Sequence, residues 1–138
     1  MNNCFFFLSC TYILIYIRFH LQISRSLLNS FKHISIAAIF IEQVKFDENN
    51  FEHGAFISDI TVMETKLYTV LCHVQMAINQ LEIDIENYQS RDVMSTELRT
   101  IQNKADRTDR DYIIVKDTRL TFQSALVKYE AVKDSLNS

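Results

Sequence analysis

The chain has no proline and only one glycine, Gly54, among its 138 residues. A chain of this length built from strands normally needs several of each in its turns. Their scarcity favours helices joined by short polar connections, within one domain that has a modest core. It also counts against glycine-rich phosphate-binding loops and nucleophile elbows, both of which need glycine.

Cysteine is sparse and irregularly spaced, with an odd total: Cys4, Cys10 and Cys72. No disulfide framework or metal-ligand spacing appears, either among the cysteines or with the four histidines. We therefore expect reduced thiols, no bound metal, no cofactor and a body that faces the cytosol. Cys72 and His73 are adjacent, and neighbours on a helix point about 100° apart. We expect a small core residue at Cys72 and an exposed His73 rather than a thiolate–imidazole pair.

Acidic residues are missing from the first part of the chain. The net charge is −3, but residues 1–41 carry three cations, Arg18, Arg25 and Lys32, and no acid, so the remainder carries −6. Two regions with different surroundings are expected. The basic residues of the acidic remainder are interleaved with acids rather than clustered, which argues against a nucleic-acid partner.

Apolar residues recur at helical spacing from Ile60 to Tyr88, and this stripe is the strongest pattern in the chain. Alternating steps of three and four connect Ile60, Met63, Leu67, Val70, Val74, Ala77 and Leu81. A second row, Leu71, Ile78 and Ile85, runs beside it and widens the stripe to about three positions in seven. That width is typical of a helix packed in a bundle rather than of a strict two-stranded seam.

The apolar frame shifts by three residues after Tyr88, and a second frame then runs from Met94 to Leu136. The patterns predict helices near 58–89, 92–106 and 109–136. A continuous helix with a stammer or a short loop would both explain the shift near residues 89–92. The polar run Asp106–Arg110 is the better turn candidate, with Thr108 and Asp111 resembling a capping box.

The first 41 residues are apolar and then basic. Cys4–Ile17 has no charged residue, yet as a helix it would be about 21 Å long, short of the roughly 30 Å of a bilayer core. A signal or membrane anchor, a helix packed on the body and a mistaken gene start all remain open. The pattern of residues 18–41 predicts a basic amphipathic helix. Three places for this helix remain open: on a membrane, in a targeting segment, or partly buried against the body. Residues 42–55 predict a polar linker, with a turn at Gly54.

Carboxylates are plentiful, in Glu82, Asp84 and Glu86 and again in Asp106, Asp109 and Asp111. Acid–base catalysis needs such groups desolvated in a cleft. Here they lie on predicted solvent faces or in a polar turn, so we expect no catalytic residue and no enzyme.

A short resemblance concerns the last predicted helix. Residues 117–121 (DTRLT) and 128–130 (KYE) are similar to helices of BAR-type membrane-curving domains. The likeness covers about a dozen residues, and the body is too short for a whole BAR monomer. It implies membrane-binding helices of that kind rather than the family itself.

The sequence therefore predicts an all-α protein: a helical hairpin or three-helix bundle with coiled-coil character over residues 56–138, preceded by the apolar and basic segment 1–41 and the linker 42–55. We expect a non-catalytic interaction or scaffold subunit that packs helix-to-helix with a protein partner or with itself as a homo-oligomer. The alternative is a membrane-associated helical protein that contacts lipid through residues 4–41 or through BAR-like membrane-binding helices. The predicted packing and interface residues are Ile60, Met63, Leu67, Val70, Val74, Leu81, Tyr88, Leu98, Ile101, Phe122, Leu126 and Tyr129.

Overall fold

The computed structural model describes the backbone of residues 3–86 and 88–137, and the side chains of residues 16–86, 88–131 and 134. No residue in the described ranges is in a strand, so the predicted all-α class is confirmed. The elements are α1 (Asn3–Asn50), α2 (Ile57–Gln80), a 3₁₀ turn (Arg91–Val93), the single turn α3 (Thr96–Arg99) and α4 (Lys104–Asn137).

α1 is the longest element, and it continues into the predicted linker. Residues 42–50 form its last turns, so the prediction of a linker over residues 42–55 is wrong in that part. The reason is that polar residues are buried here. Asp47 is 2% exposed and is paired with an arginine of α4. In the sequence, an acid that is buried beside a distant cation cannot be told from an acid in a solvated loop.

The turn between α1 and α2 occupies residues 51–56. Gly54 takes the left-handed conformation expected of it, with φ +72°, and His53 is also left-handed. The Gly54 N–H donates to the Glu48 carbonyl at 3.0 Å, and the Glu48 Oε1 accepts from the Phe56 N–H at 2.8 Å. These bonds satisfy backbone groups at both helix ends, so the chain reverses within six residues.

α2 ends at Gln80, nine residues before the predicted end near residue 89. The Ile83 N–H donates to the Ile78 carbonyl, and the Glu82 N–H donates to the Asn79 carbonyl, both at 3.1 Å. This is the Schellman arrangement of a helix C-terminus, in which one residue must be left-handed. Glu82 is that residue, with φ +54°. Glycine normally occupies the position, and its absence is why the sequence does not mark the end.

Replacing Glu82 by glycine should therefore stabilise the protein. A left-handed backbone costs an L-residue about 1 kcal/mol, and glycine avoids that steric cost. We expect Glu82→Gly to raise the free energy of unfolding by about 0.5–1 kcal/mol, measured by urea denaturation. Glu86→Gly is the control, because Glu86 is not left-handed and glycine there only adds freedom to the unfolded chain. A loss of stability in both variants would contradict the assignment.

A connection of residues 81–103 replaces the predicted helix 92–106, which is wrong apart from the two short turns. Ser90 caps the 3₁₀ turn by accepting from the Asp92 N–H, and Ser95 caps α3 by accepting from the Leu98 N–H. Between them Met94 is extended and only 1% exposed. Its burial places one member of the predicted apolar frame in the core without a helix, whereas Leu98 stays exposed. The shift near residues 89–92 is thus neither a stammer nor a short loop.

α4 begins at Lys104, so the predicted turn at Asp106–Arg110 is wrong. Asn103 precedes the helix, and its Oδ1 accepts from the Ala105 N–H at 2.8 Å. This is an ordinary N-cap. Thr108 does not form the predicted capping box, because its hydroxyl donates to the Lys104 carbonyl inside the helix. The polar run is helical because Arg110 is buried against α1 and Arg107 is buried against the turn that follows α1.

α1 is the shared partner of the two other long helices. Lys45 pairs with Glu64, and Glu42 accepts a hydrogen bond from Tyr68, so α2 runs antiparallel to α1. At the other interface Asp47 pairs with Arg110, while residues 30–34 share a groove with residues 120–125. α4 is therefore antiparallel to α1 as well. α2 and α4 are parallel to each other, which is why residues 81–103 must return along the bundle.

The core is built around the second half of α1, together with residues from α2, α4 and the returning connection. Its buried members are Ile34, Ala37, Ala38, Ile41, Val44, Ile60, Leu67, Met94 and Ile114. Residues 34–44 were predicted to precede the body, but in the structure they form one wall of its core. α2 and α4 depend on α1 to cover their apolar faces.

Candidate interaction surface

The packing residues predicted from the sequence fall into three groups. Ile60 and Leu67 are buried in the core. The half-buried residues are Met63, Val70, Val74 and Phe122, which pack against the core, and also Leu81 and Ile101. The exposed residues are Tyr88, Leu98, Leu126 and Tyr129. The first group is intramolecular core. The last group lies on the surface of this chain, and its members on α4 belong to a larger apolar surface.

α4 also carries exposed apolar side chains outside its buried face. Ile113, Leu120 and Val127 are seven residues apart and are each more than half exposed. Ile114 and Thr118, about 100° or more around the helix, are the buried positions. The sequence prediction missed this outer row because it followed the neighbouring frame through Tyr112 and Leu126. The seven-residue spacing was the signal that could have identified it.

At one end of the bundle, the described residues form two helices rather than three. Glu42 and Tyr68 lie level with each other, and the two antiparallel helices rise equally per residue. Gln80, the last residue of α2, is twelve residues after Tyr68 and therefore lies about level with Ser30, twelve residues before Glu42. α1 continues beyond that level to Asn3, and α4 continues past residue 125, which lies near Ser30, to Asn137. We call this region the open end. Its exposed apolar side chains are Tyr16, Ile17, Leu21, Leu126, Val127 and Tyr129.

The apolar side chains of the open end are largely in water, since all six are between 47% and 70% exposed. Large apolar side chains gathered at one end of a bundle are typical of an interaction site.

A row of cations also lies along the first half of α1. Arg18, Arg25 and Lys32 follow one another at seven-residue intervals, and all three are exposed. No acidic residue precedes Glu42 in the chain. The surface around this row is therefore positive and is interrupted by the exposed side chains of Ile17 and Leu21. Such a surface is suited to contact with an anionic layer.

The opposite end of the bundle is closed by buried ion pairs. Arg110 pairs with Asp47, and it also donates to Asp111 at 2.5 Å and to the Leu98 carbonyl at 2.6 Å. Burial raises the pKa of Asp111 above its ordinary value, although the nearby Arg110 opposes this. These contacts hold the start of α4 against the end of α1. Together with the ion pair between Arg107 and Glu52, we call them the polar junction.

Glu52 and Arg107 complete the polar junction. Arg107 donates to Glu52 at 2.7 Å and to the Gln102 carbonyl at 2.6 Å, and its guanidinium lies 4.8 Å from the centre of the Phe51 ring. Hydrogen bonds from Arg107 and then Lys104 lower the pKa of the Glu52 carboxyl. The Asp47–Arg110 and Glu52–Arg107 pairs therefore join the start of α4 to the end of α1 and to the turn that follows it.

Within the described part of the chain, no group of three or more histidine, cysteine, aspartate or glutamate residues is placed to hold a metal ion. His73 is exposed as predicted, but Cys72 is exposed too, so its predicted place in the core is wrong. The reason is that α1 covers the face containing Leu67 and Ile78, and Cys72 lies beyond its edge.

Comparison with protein families, curated proteins and solved structures finds no match for this chain. In the part of the chain that was searched, no helix combines the length and the hydropathy required to cross a bilayer.

Proposed function

We propose that this protein is a non-catalytic helical subunit that binds another protein, or a second copy of itself, by helix packing at its open end. The observation that carries the proposal is the apolar surface on α1 and α4 beyond the end of α2. A third helix placed there would continue the path of α2 and would cover side chains such as Leu126 and Tyr129. The bundle would then have three helices along a greater part of its length.

The test compares two double variants of the full chain. Leu126→Asp with Tyr129→Asp places charge at the open end, whereas Val62→Asp with Met76→Asp places the same charge on exposed apolar positions of α2. Light scattering measures self-association, and affinity capture followed by mass spectrometry measures binding to other proteins. We expect the open-end variant to lose the assembly and the α2 variant to keep it. Loss in the α2 variant alone, or no difference between native protein and open-end variant, would contradict the proposal.

A second function, peripheral membrane association through α1, is favoured by one further observation. The structure exposes Arg18, Arg25 and Lys32 together, within a segment that has no acid. Each cation close to an anionic membrane contributes about 1 kcal/mol. Removing all three should weaken binding by about 3 kcal/mol, or somewhat more than a hundredfold.

Flotation with vesicles containing phosphatidylserine tests this second function. The variant Arg18→Gln, Arg25→Gln, Lys32→Gln should stay with the unbound protein. Lys66→Gln, Lys116→Gln, Arg119→Gln changes the net charge equally at exposed positions on α2 and α4, and it should float like the native chain. Equal flotation of both triple variants, or flotation that 0.5 M salt leaves unchanged, would rule out the basic row as the membrane contact.

A further inference from the structure

A groove of about 500 Å³ lies between α1, α2 and the returning connection. It is on the side of the molecule where Glu42 meets Arg91, away from the open end. Ile39, Phe46 and Met94 give it apolar lining. Its volume is within the range of roughly 300–1,000 Å³ that is usual for small-molecule sites. The groove is therefore large enough for a small organic ligand.

Both carboxylates of the groove already have cationic partners. Lys45 pairs with Glu64 at 2.5 Å, and Arg91 pairs with Glu42 at 3.1 Å. Glu42 also accepts the hydroxyl of Tyr68, and this bond raises the pKa of Tyr68 to about 12. The two acids are thus neutralised by groups within the groove itself. The remaining charge in its lining belongs to Arg99.

Arg99 has weaker partners than the other cations of the groove. Its Nη2 donates to the Thr96 hydroxyl at 3.4 Å and lies 3.8 Å from the Asp92 carboxylate, a side chain that is 90% exposed. Its Nε is shielded from solvent and has no acceptor among the described residues. The Arg99 side chain is 31% exposed, so the guanidinium is not closed off from the groove. Gln43 donates to the Arg99 carbonyl at 3.4 Å and helps to hold its backbone.

We propose that this groove binds a small amphiphilic carboxylate. The carboxylate pairs with the guanidinium of Arg99, which supplies the charge-assisted donors that its present partners use poorly. A short apolar chain lies against Phe46 and Ile39. The combination of one under-used arginine and an apolar wall selects for both parts of the ligand. This site is independent of the open end and of the function proposed there.

Nuclear magnetic resonance titration of the full chain with hexanoate tests the site, and hexanamide and acetate are the matched ligands. Hexanamide has the chain without the charge, and acetate has the charge without the chain. We expect hexanoate to shift the side-chain amide signals of Gln43 and Asn49 saturably, because both residues line the groove. Hexanamide and acetate should each bind at least about tenfold more weakly. Equal binding of hexanoate and hexanamide would overturn the proposal.

Variants of the arginine and of the apolar wall separate binding from folding. Arg99→Gln should weaken hexanoate at least about tenfold, and Arg99→Lys should keep part of the affinity because it keeps the charge. Phe46→Ser should weaken hexanoate and leave acetate unchanged. Arg119→Gln, an exposed cation on α4, is the control and should bind hexanoate as the native chain does. Native affinity in both Arg99→Gln and Phe46→Ser would overturn the proposal.

Discussion

Replacing Arg110 by methionine should destabilise the protein by about 3–5 kcal/mol, as expected when one partner of a buried ion pair is removed. The Arg110 side chain is 6% exposed and pairs with Asp47, which is 2% exposed. Methionine fills much of the same space but leaves the Asp47 carboxylate buried beside only the Gln43 amide, at 3.1 Å. Urea denaturation followed by circular dichroism measures the loss.

The double variant Asp47→Leu with Arg110→Met is the control for that loss. It removes both charges of the deeply buried pair, so no Asp47 carboxylate is left desolvated without a partner, and it should recover about 2 kcal/mol or more of the stability. A double variant no more stable than Arg110→Met would show that the cost does not come from an unpaired Asp47. A single variant as stable as the native chain would show that the polar junction is open to water.

Ile41→Ala should cost about 2–5 kcal/mol, the range for deleting a large apolar side chain from a core. Ile41 is 0% exposed and packs between residues of α2 and α4, although the sequence pattern places it before the body. The same change at Ile113, which is 54% exposed on α4, should cost less than about 1 kcal/mol. Thermal and urea denaturation of both variants gives the comparison.

A small effect of Ile41→Ala would contradict the fold, because it would mean that α2 and α4 are stable without the wall formed by α1. A large effect at Ile113 would indicate that the outer row of α4 is already buried, as it would be in an assembly. The two substitutions therefore also report on whether the isolated chain is a monomer.

The all-α class and the course of α2 could be predicted because both depend on local patterns. The stripe from Ile60 places one apolar side chain on the same face at each turn, and that face is the one that α1 covers. The scarcity of glycine and proline correctly excluded a strand-rich fold. The extent of α4 followed from the second frame, apart from its first turn.

The errors arose where residues far apart in the sequence determine the structure. Asp47 and Arg110 are 63 residues apart, and each appears by itself to be a solvated charge. Together they bury the end of α1 and the start of α4, the two places where the sequence predicts a linker and a turn. The end of α2 was missed for a different reason, since a glutamate occupies the left-handed position that glycine usually marks.

The candidate surface could be predicted only in part. Leu126 and Tyr129 were assigned to packing by their spacing, but spacing cannot separate a core from an interface. That separation depends on the length of α2, which ends near the level of Ser30 and leaves those residues uncovered. The groove beside Arg99 could not be predicted at all, because it forms only when residues 81–103 return along α1.

The central proposal is tested most directly by the rate at which a cysteine at the open end reacts with a thiol reagent. The rate is measured in cell lysate, with the protein at its natural concentration, and in dilute purified protein. In a chain with Cys4, Cys10 and Cys72 changed to serine, one cysteine is introduced either at Leu126 or, as the control, at Val62 of α2. The proposal predicts that the cysteine at position 126 reacts with a maleimide several-fold more slowly in cell lysate than in dilute purified protein, while the one at position 62 reacts equally in both. Equal reaction at position 126 in lysate and in dilute protein would show that nothing covers the open end, and would contradict the proposal.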